Sequence, residues 1–137
     1  MPTRDFGAGL VPAHQHSNGG GWVADTARVA TESYVGPDAL VFGSAKVYGN
    51  ARVEGSAAVY GNAEIRDNAV VKDNCKAYGE CLISGNSVCM GTAFIYDQAR
   101  VGGSATCGGN AAVHGYAFVA GVAIIGGTTD QTTERHS

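Results

Sequence analysis

The chain has 137 residues, 9 Lys and Arg against 12 Asp and Glu, a net charge of −3 and 21 glycines. That is the length of one domain, and a small charge of mixed sign argues against a dedicated nucleic-acid or membrane surface. No apolar run approaches bilayer length and no charged stretch leads into an apolar one as in a signal peptide, so a cytoplasmic protein is expected.

Residues 1–22 hold Pro, Gly, His14, His16 and a GGG run before Trp22, and fit no repeat. They are read as an N-terminal arm or cap. His14 and His16 form an HxH pair that a metal could use, but two histidines on an arm are read as solvated.

From Val23 to Ile124 the chain is written in seventeen consecutive six-residue words without insertion, clearest in VFGSAK, VYGNAR, VEGSAA and VYGNAE. Such a period is a repeat architecture. Val or Ile opens fourteen words, the exceptions being Ala77, Cys89 and Cys107, and Ala stands fifth in thirteen, replaced by Ser33, Cys75, Cys81 and Ser87. Ala51, Arg52, Val53 and Glu54 alternate, which predicts a short strand with Ala and Val facing inward. Gly or Asp in third place, followed by Asn or Ser, suits a corner at positive φ. Three strands and three corners make a triangular coil of eighteen residues, stacked at about 4.8 Å. The four cysteines fall at inward positions with no CxxC spacing and are read as reduced packing residues.

The eighteen-residue coil also sorts the outward positions. One face collects Leu40, Ala58 and Phe94 beside a column of Phe42, Tyr60, Tyr78, Tyr96 and His114. An outward aromatic stripe of this kind predicts an interface; the alternative, which can hold at the same time, is that the stacked rings stabilise the sheet against each other as cross-strand pairs. A second face carries Arg28, Lys46, Tyr48, Glu64, Arg66 and Arg100 and is mostly charged. The third, with Tyr34, Arg52, Glu54, Lys72 and Met90, is mixed. Arg28, Lys46, Arg52, Arg66 and Arg100 are candidates for holding an anion at subunit clefts.

The pattern [Val/Ile]-Gly-x-x-Ala-x resembles the hexapeptide-repeat superfamily over 102 residues. The resemblance implies an all-β fold, a left-handed parallel β-helix of about six coils over residues 23–125; residues 126–137, with TTDQTTERHS after a Gly pair, are read as a polar and mobile tail. It further implies a homotrimer, with the aromatic face as subunit interface. Acyltransferases of that superfamily use a histidine base near the interface and an acyl-CoA donor. His114 is the one histidine inside the repeat, which makes it the candidate base and acetyl-CoA the cofactor of that alternative. Against it, no loop leaves the repeat to build a pocket, and a base needs an oriented partner.

GWVADTARV around Trp22 looks like the opening of γ-class carbonic anhydrases, but zinc there needs three histidines and the repeat supplies one. A Cys or Ser nucleophile has no histidine in phase with it. The GNA, GSA and DNA wording and the GGGWVADTA opening look like short repeat proteins of tailed bacteriophages and prophages. That implies a non-catalytic accessory protein without metal or cofactor, binding a host factor, a defence component or a small anionic ligand held between subunits; a structural assembly module is the alternative. An ice-binding face would need a Thr array, which no outward column has.

Overall fold

The computed structural model describes residues 3–5, 10–109, 112–115, 118–121, 124–125, 128–130 and 133–136. The arm gives β1 (Thr3–Asp5) and β2 (Leu10–Gln15), and the repeat begins with β3 (Trp22–Ala24), β4 (Arg28–Val29), β5 (Tyr34–Val35) and β6 (Leu40–Val41). Two-residue strands then recur every six residues from β7 (Lys46–Val47) to β17 (Thr106–Cys107). The chain ends with β18 (Ala112–His114), β19 (Phe118–Gly121), β20 (Ile124–Ile125), β21 (Thr128–Asp130) and β22 (Thr133–His136). The two-residue strands β4 to β17 are shorter than the four alternating residues expected, because the corner already begins after the inward Val.

Strands stack in parallel on those eighteen residues away, as in Tyr34 on Arg52 and Arg52 on Val70. The result is a β-solenoid of about 5 turns with three sheets of nine, seven and six strands. The count of words pointed to about six; the last words run through residues outside those described.

The interior is as the word requires. Ala51, Val53, Ala57, Val59 and Ile65 are fully buried. Coils are tied by main-chain bonds of one pattern, such as Tyr34 N to Ala51 O at 3.0 Å and Gly36 N to Val53 O at 2.8 Å. The third residue of most words sits at positive φ, Gly61 at 66° and Asp67 at 61° among them. Where Asp replaces Gly, the carboxylate reaches the next coil: Asp67 accepts from Gly85 N at 3.0 Å, Asp73 from Gly91 N at 3.1 Å and Asp97 from Gly115 N at 3.0 Å.

All four cysteines are buried free thiols. Burial pushes the Cys81 thiol up to about 12 and Cys75 to about 11. Cys89 faces Cys107 across adjacent strands, and the hydrogen bond between the two thiols together with burial raises it as well. The sulfurs therefore fill the space of a small apolar residue.

The arm folds onto the first coil. β1 pairs antiparallel with β2, and β2 antiparallel with β3. His16, expected to be solvated, is only 6% exposed. Its ring Nε2 donates to Ser33 O at 2.7 Å, where Asn18 Nδ2 also donates at 3.1 Å. An open coil end presents unpaired carbonyls, and burying a ring donor against one is favourable. His14 stays exposed, with Nδ1 2.8 Å from Asp25 Oδ1.

At the other end the segment read as a mobile tail carries β21 and β22, parallel to β18 and β19. His114 there faces Asp130, sixteen residues on, and Phe118 faces Thr133, fifteen on, so the coil shortens where the repeat ends.

Candidate functional site

The strands that carry Trp22, Leu40, Ala58, Lys76, Phe94 and Ala112 form one sheet, and the next outward position of each word builds the aromatic column. In-register parallel stacking places those rings one above another at coil spacing. Phe42 and Tyr60 are 4.7 Å apart between centroids, Tyr60 and Tyr78 4.9 Å, Tyr78 and Tyr96 5.1 Å, and Tyr96 and His114 5.1 Å, with interplanar angles of 3–8°. Isolated aromatic pairs favour offset or edge-on contacts; here the backbone spacing holds them face to face.

The rings are half-buried. Burial raises the Tyr60 phenol above its ordinary range; Tyr78 is raised by burial first and then by Tyr60, Tyr96 and Asp97. Next to the column, Phe94 is 38% exposed with Lys76 Nζ 5.8 Å from its ring centroid, while Ala58 is buried. Of the eight residues expected at an interface, Leu40, Ala58, Phe94 and His114 lie in strands of this sheet, and Phe42, Tyr60, Tyr78 and Tyr96 stand one residue past the ends of its strands.

The lower half of the ladder borders a corner groove of about 430 Å³ lined by Gly79, Glu80, Asp97, Gln98 and Gly115. His114 Nδ1 stands 4.0 Å from Asp97 Oδ2, too far for a hydrogen bond, and that carboxylate oxygen accepts from Gly115 N. Gln98 Nε2 donates to Glu80 Oε1 at 3.3 Å. Among the described residues no three His, Cys, Asp or Glu side chains converge in a metal-binding group.

The five basic candidates do not act as one set. Arg28 and Lys46 are direct neighbours on adjacent strands. They line a groove of about 460 Å³ with His14, Ala27, Val29, Ala30, Val47 and Tyr48. Arg100 continues their column, but Glu64 and Leu82 intervene. Arg66 is half-buried, with its Nε buried and without a hydrogen-bond partner among the described residues. Arg52 lies on another sheet, where its Nε donates to Glu54 Oε2 at 2.8 Å and its guanidinium sits 4.5 Å from the Tyr34 ring.

Periodicity reveals the Arg28 and Lys46 neighbours but not the groove, because His14 reaches it from the aperiodic arm. Tyr48 was legible only as a face residue; its hydroxyl donates to Glu64 Oε2 at 3.1 Å across one coil. No helix among the described residues is long and apolar enough to cross a membrane. Comparison of the chain with protein-family models, with curated proteins and with solved structures found no match in any of the three.

Proposed function

We propose that this is a non-catalytic binding protein, a left-handed hexapeptide-repeat homotrimer of the kind used as phage or prophage accessory factors, working in the bacterial cytoplasm. The observation that carries the reading is the unbroken, half-buried stack from Phe42 to His114 on one sheet. Rings held at fixed spacing lose little further side-chain entropy on docking, and covering the exposed part of each adds a fraction of the roughly 1.5 to 3 kcal/mol that full burial of such a side chain contributes, before ordering costs are subtracted. An acyl-transfer reading draws on His114 beside Asp97 and the corner groove. The binding reading is preferred because the words run without an extruded loop that would shape a substrate pocket.

The test is size in solution. Tyr60→Asp with Tyr78→Asp places carboxylates around a threefold axis, where they repel as well as lose contact. Light scattering should find that double variant as a folded monomer, and an Arg52→Ala, Lys72→Ala control as a trimer. A Tyr double variant that keeps the wild-type mass removes this face from the interface.

A further inference from the structure

The main-chain pattern of the solenoid leaves one coil edge unfinished. Arg28 N donates to Ala45 O at 2.9 Å and Ala30 N to Val47 O at 2.8 Å, so these two residues direct their amides to the next coil. In a parallel ladder the residue between them points its N–H and C=O the other way. Val29 therefore offers both groups toward the N-terminal end, with Ala27 O beside them.

The first coil has three such edges, and the arm treats them differently. β2 covers the edge of β3. Residues 16–21 cover β5: Val35 N donates to Asn18 O at 3.0 Å, Gly21 N donates to Val35 O at 2.9 Å, and Ser33 O accepts from His16. β4 is the terminal strand of the seven-stranded sheet, and among the described residues nothing bonds to Val29 N, Val29 O or Ala27 O.

The core tells the same story. First-position residues from Val23 to Val119 are buried except Val29, which is only partly so. What is missing there is one two-residue strand with an apolar side chain facing in. A groove of about 460 Å³ adjoins this edge, lined by Ala27, Arg28, Val29 and Ala30 together with His14 of the arm and Lys46 and Tyr48 of the next coil. Its charge is also defined. Neither Arg28 nor Lys46 has an ion-pair partner among the described residues, whereas Asp25 is engaged by His14 and Glu64 by Tyr48. A carboxylate in the column beside Arg28 completes the pattern, since opposite charges on adjacent strands attract.

We infer that the β4 edge takes an extended acidic segment of a partner protein by parallel strand addition, with Asp or Glu beside Arg28 and Val or Ile over Val29. The acidic residue's N–H donates to Ala27 O, Val29 N–H donates to that residue's carbonyl, and the N–H of the residue after the Val or Ile donates to Val29 O. These are the three bonds the arm makes or mimics at β5, and main-chain pairing with alternate side-chain recognition is how sheet edges capture peptides. The site lies on the charged face, so it stands or falls separately from the aromatic interface.

Fluorescence anisotropy of a fluorescein-labelled peptide, Gly-Ser-Glu-Val-Gly-Ser, against the full chain tests it. Saturable binding is expected. N-methylation of the Glu or of the Gly after Val should weaken it by about tenfold or more, while N-methylation of the Val, whose N–H faces away, should change it by about twofold at most. Arg28→Glu with Lys46→Glu should also cost about tenfold or more, and Arg100→Glu on the same face about twofold or less. The N-methyl series needs only the wild-type protein, so it decides even where a variant fails to fold. Absence of saturable binding, equal loss at all three N-methyl positions, or displacement of the peptide by free glutamate or inorganic phosphate overturns the inference. So does an Arg28→Glu, Lys46→Glu variant that lowers the oligomeric mass, because the edge would then be filled by a second copy of this chain.

Discussion

Gly61 turns its corner at φ 66°, and a Cβ there would lie 2.9 Å from Gly79 N and 3.2 Å from Gly79 O on the next coil. Two constraints act at once, a left-handed backbone and a close approach of backbone to backbone. Asp67, Asp73 and Asp97 meet both at φ 58–61°, because Asp tolerates that region and its carboxylate engages an N–H of the neighbouring coil. A β-branched residue has neither property. Gly61→Val should therefore lose about 1 to 3 kcal/mol, and Gly61→Asp distinctly less, with Gly79 N available to its carboxylate. Glu64→Val, at an outward strand position, should stay within about 0.5 kcal/mol. Urea unfolding midpoints of the three variants measure this; equal losses for Val and Asp at position 61 would mean that the carboxylate-to-amide contact does not support the corner.

A two-residue strand has no stability of its own, and what holds it is the pair of coils above and below. Val53 sits fully buried between Val35 and Val71 in the same inward column. Val53→Asp places an unpaired carboxylate where no polar partner exists, which should exceed about 4 kcal/mol and abolish a cooperative thermal transition followed by circular dichroism. An unchanged melting curve would mean that Val53 is not in the core. The membership of every column, from Val53 to the Tyr60, Tyr78 and Tyr96 ladder, was legible in the sequence because the eighteen-residue period converts position directly into face. The covering of β5 was not. His16 is positioned by Ser33 O, seventeen residues away, and no local pattern in residues 10–21 announces that bond. For the same reason the basic residues looked like one set: period places Arg52 on its face, but Glu54 and Tyr34, which occupy it, emerge only from side-chain directions.

At the scale of the whole molecule, the solenoid is a stack whose ends would be sheet edges if nothing lay on them, and such edges invite pairing between chains. The arm answers this at the N-terminal end through β2, through the Asn18 and Gly21 main-chain bonds to Val35, and through the buried His16 ring on Ser33 O. Removing residues 1–21 uncovers all these groups together. The shortened chain should melt earlier than the full chain and form species whose mass by light scattering grows with protein concentration. His16→Ala removes a single buried donor, with Asn18 Nδ2 still on the same carbonyl, and should cost about 1 to 3 kcal/mol without association. Edge pairing would extend along the stack whereas the proposed aromatic interface would join chains side by side, so adding Tyr60→Asp and Tyr78→Asp to the shortened chain separates the two. If the arm is an edge cap, concentration-dependent growth persists with both tyrosines replaced. If growth disappears with the tyrosines, or the shortened chain keeps the mass and melting point of the full one, residues 10–21 are not what keeps this end from pairing.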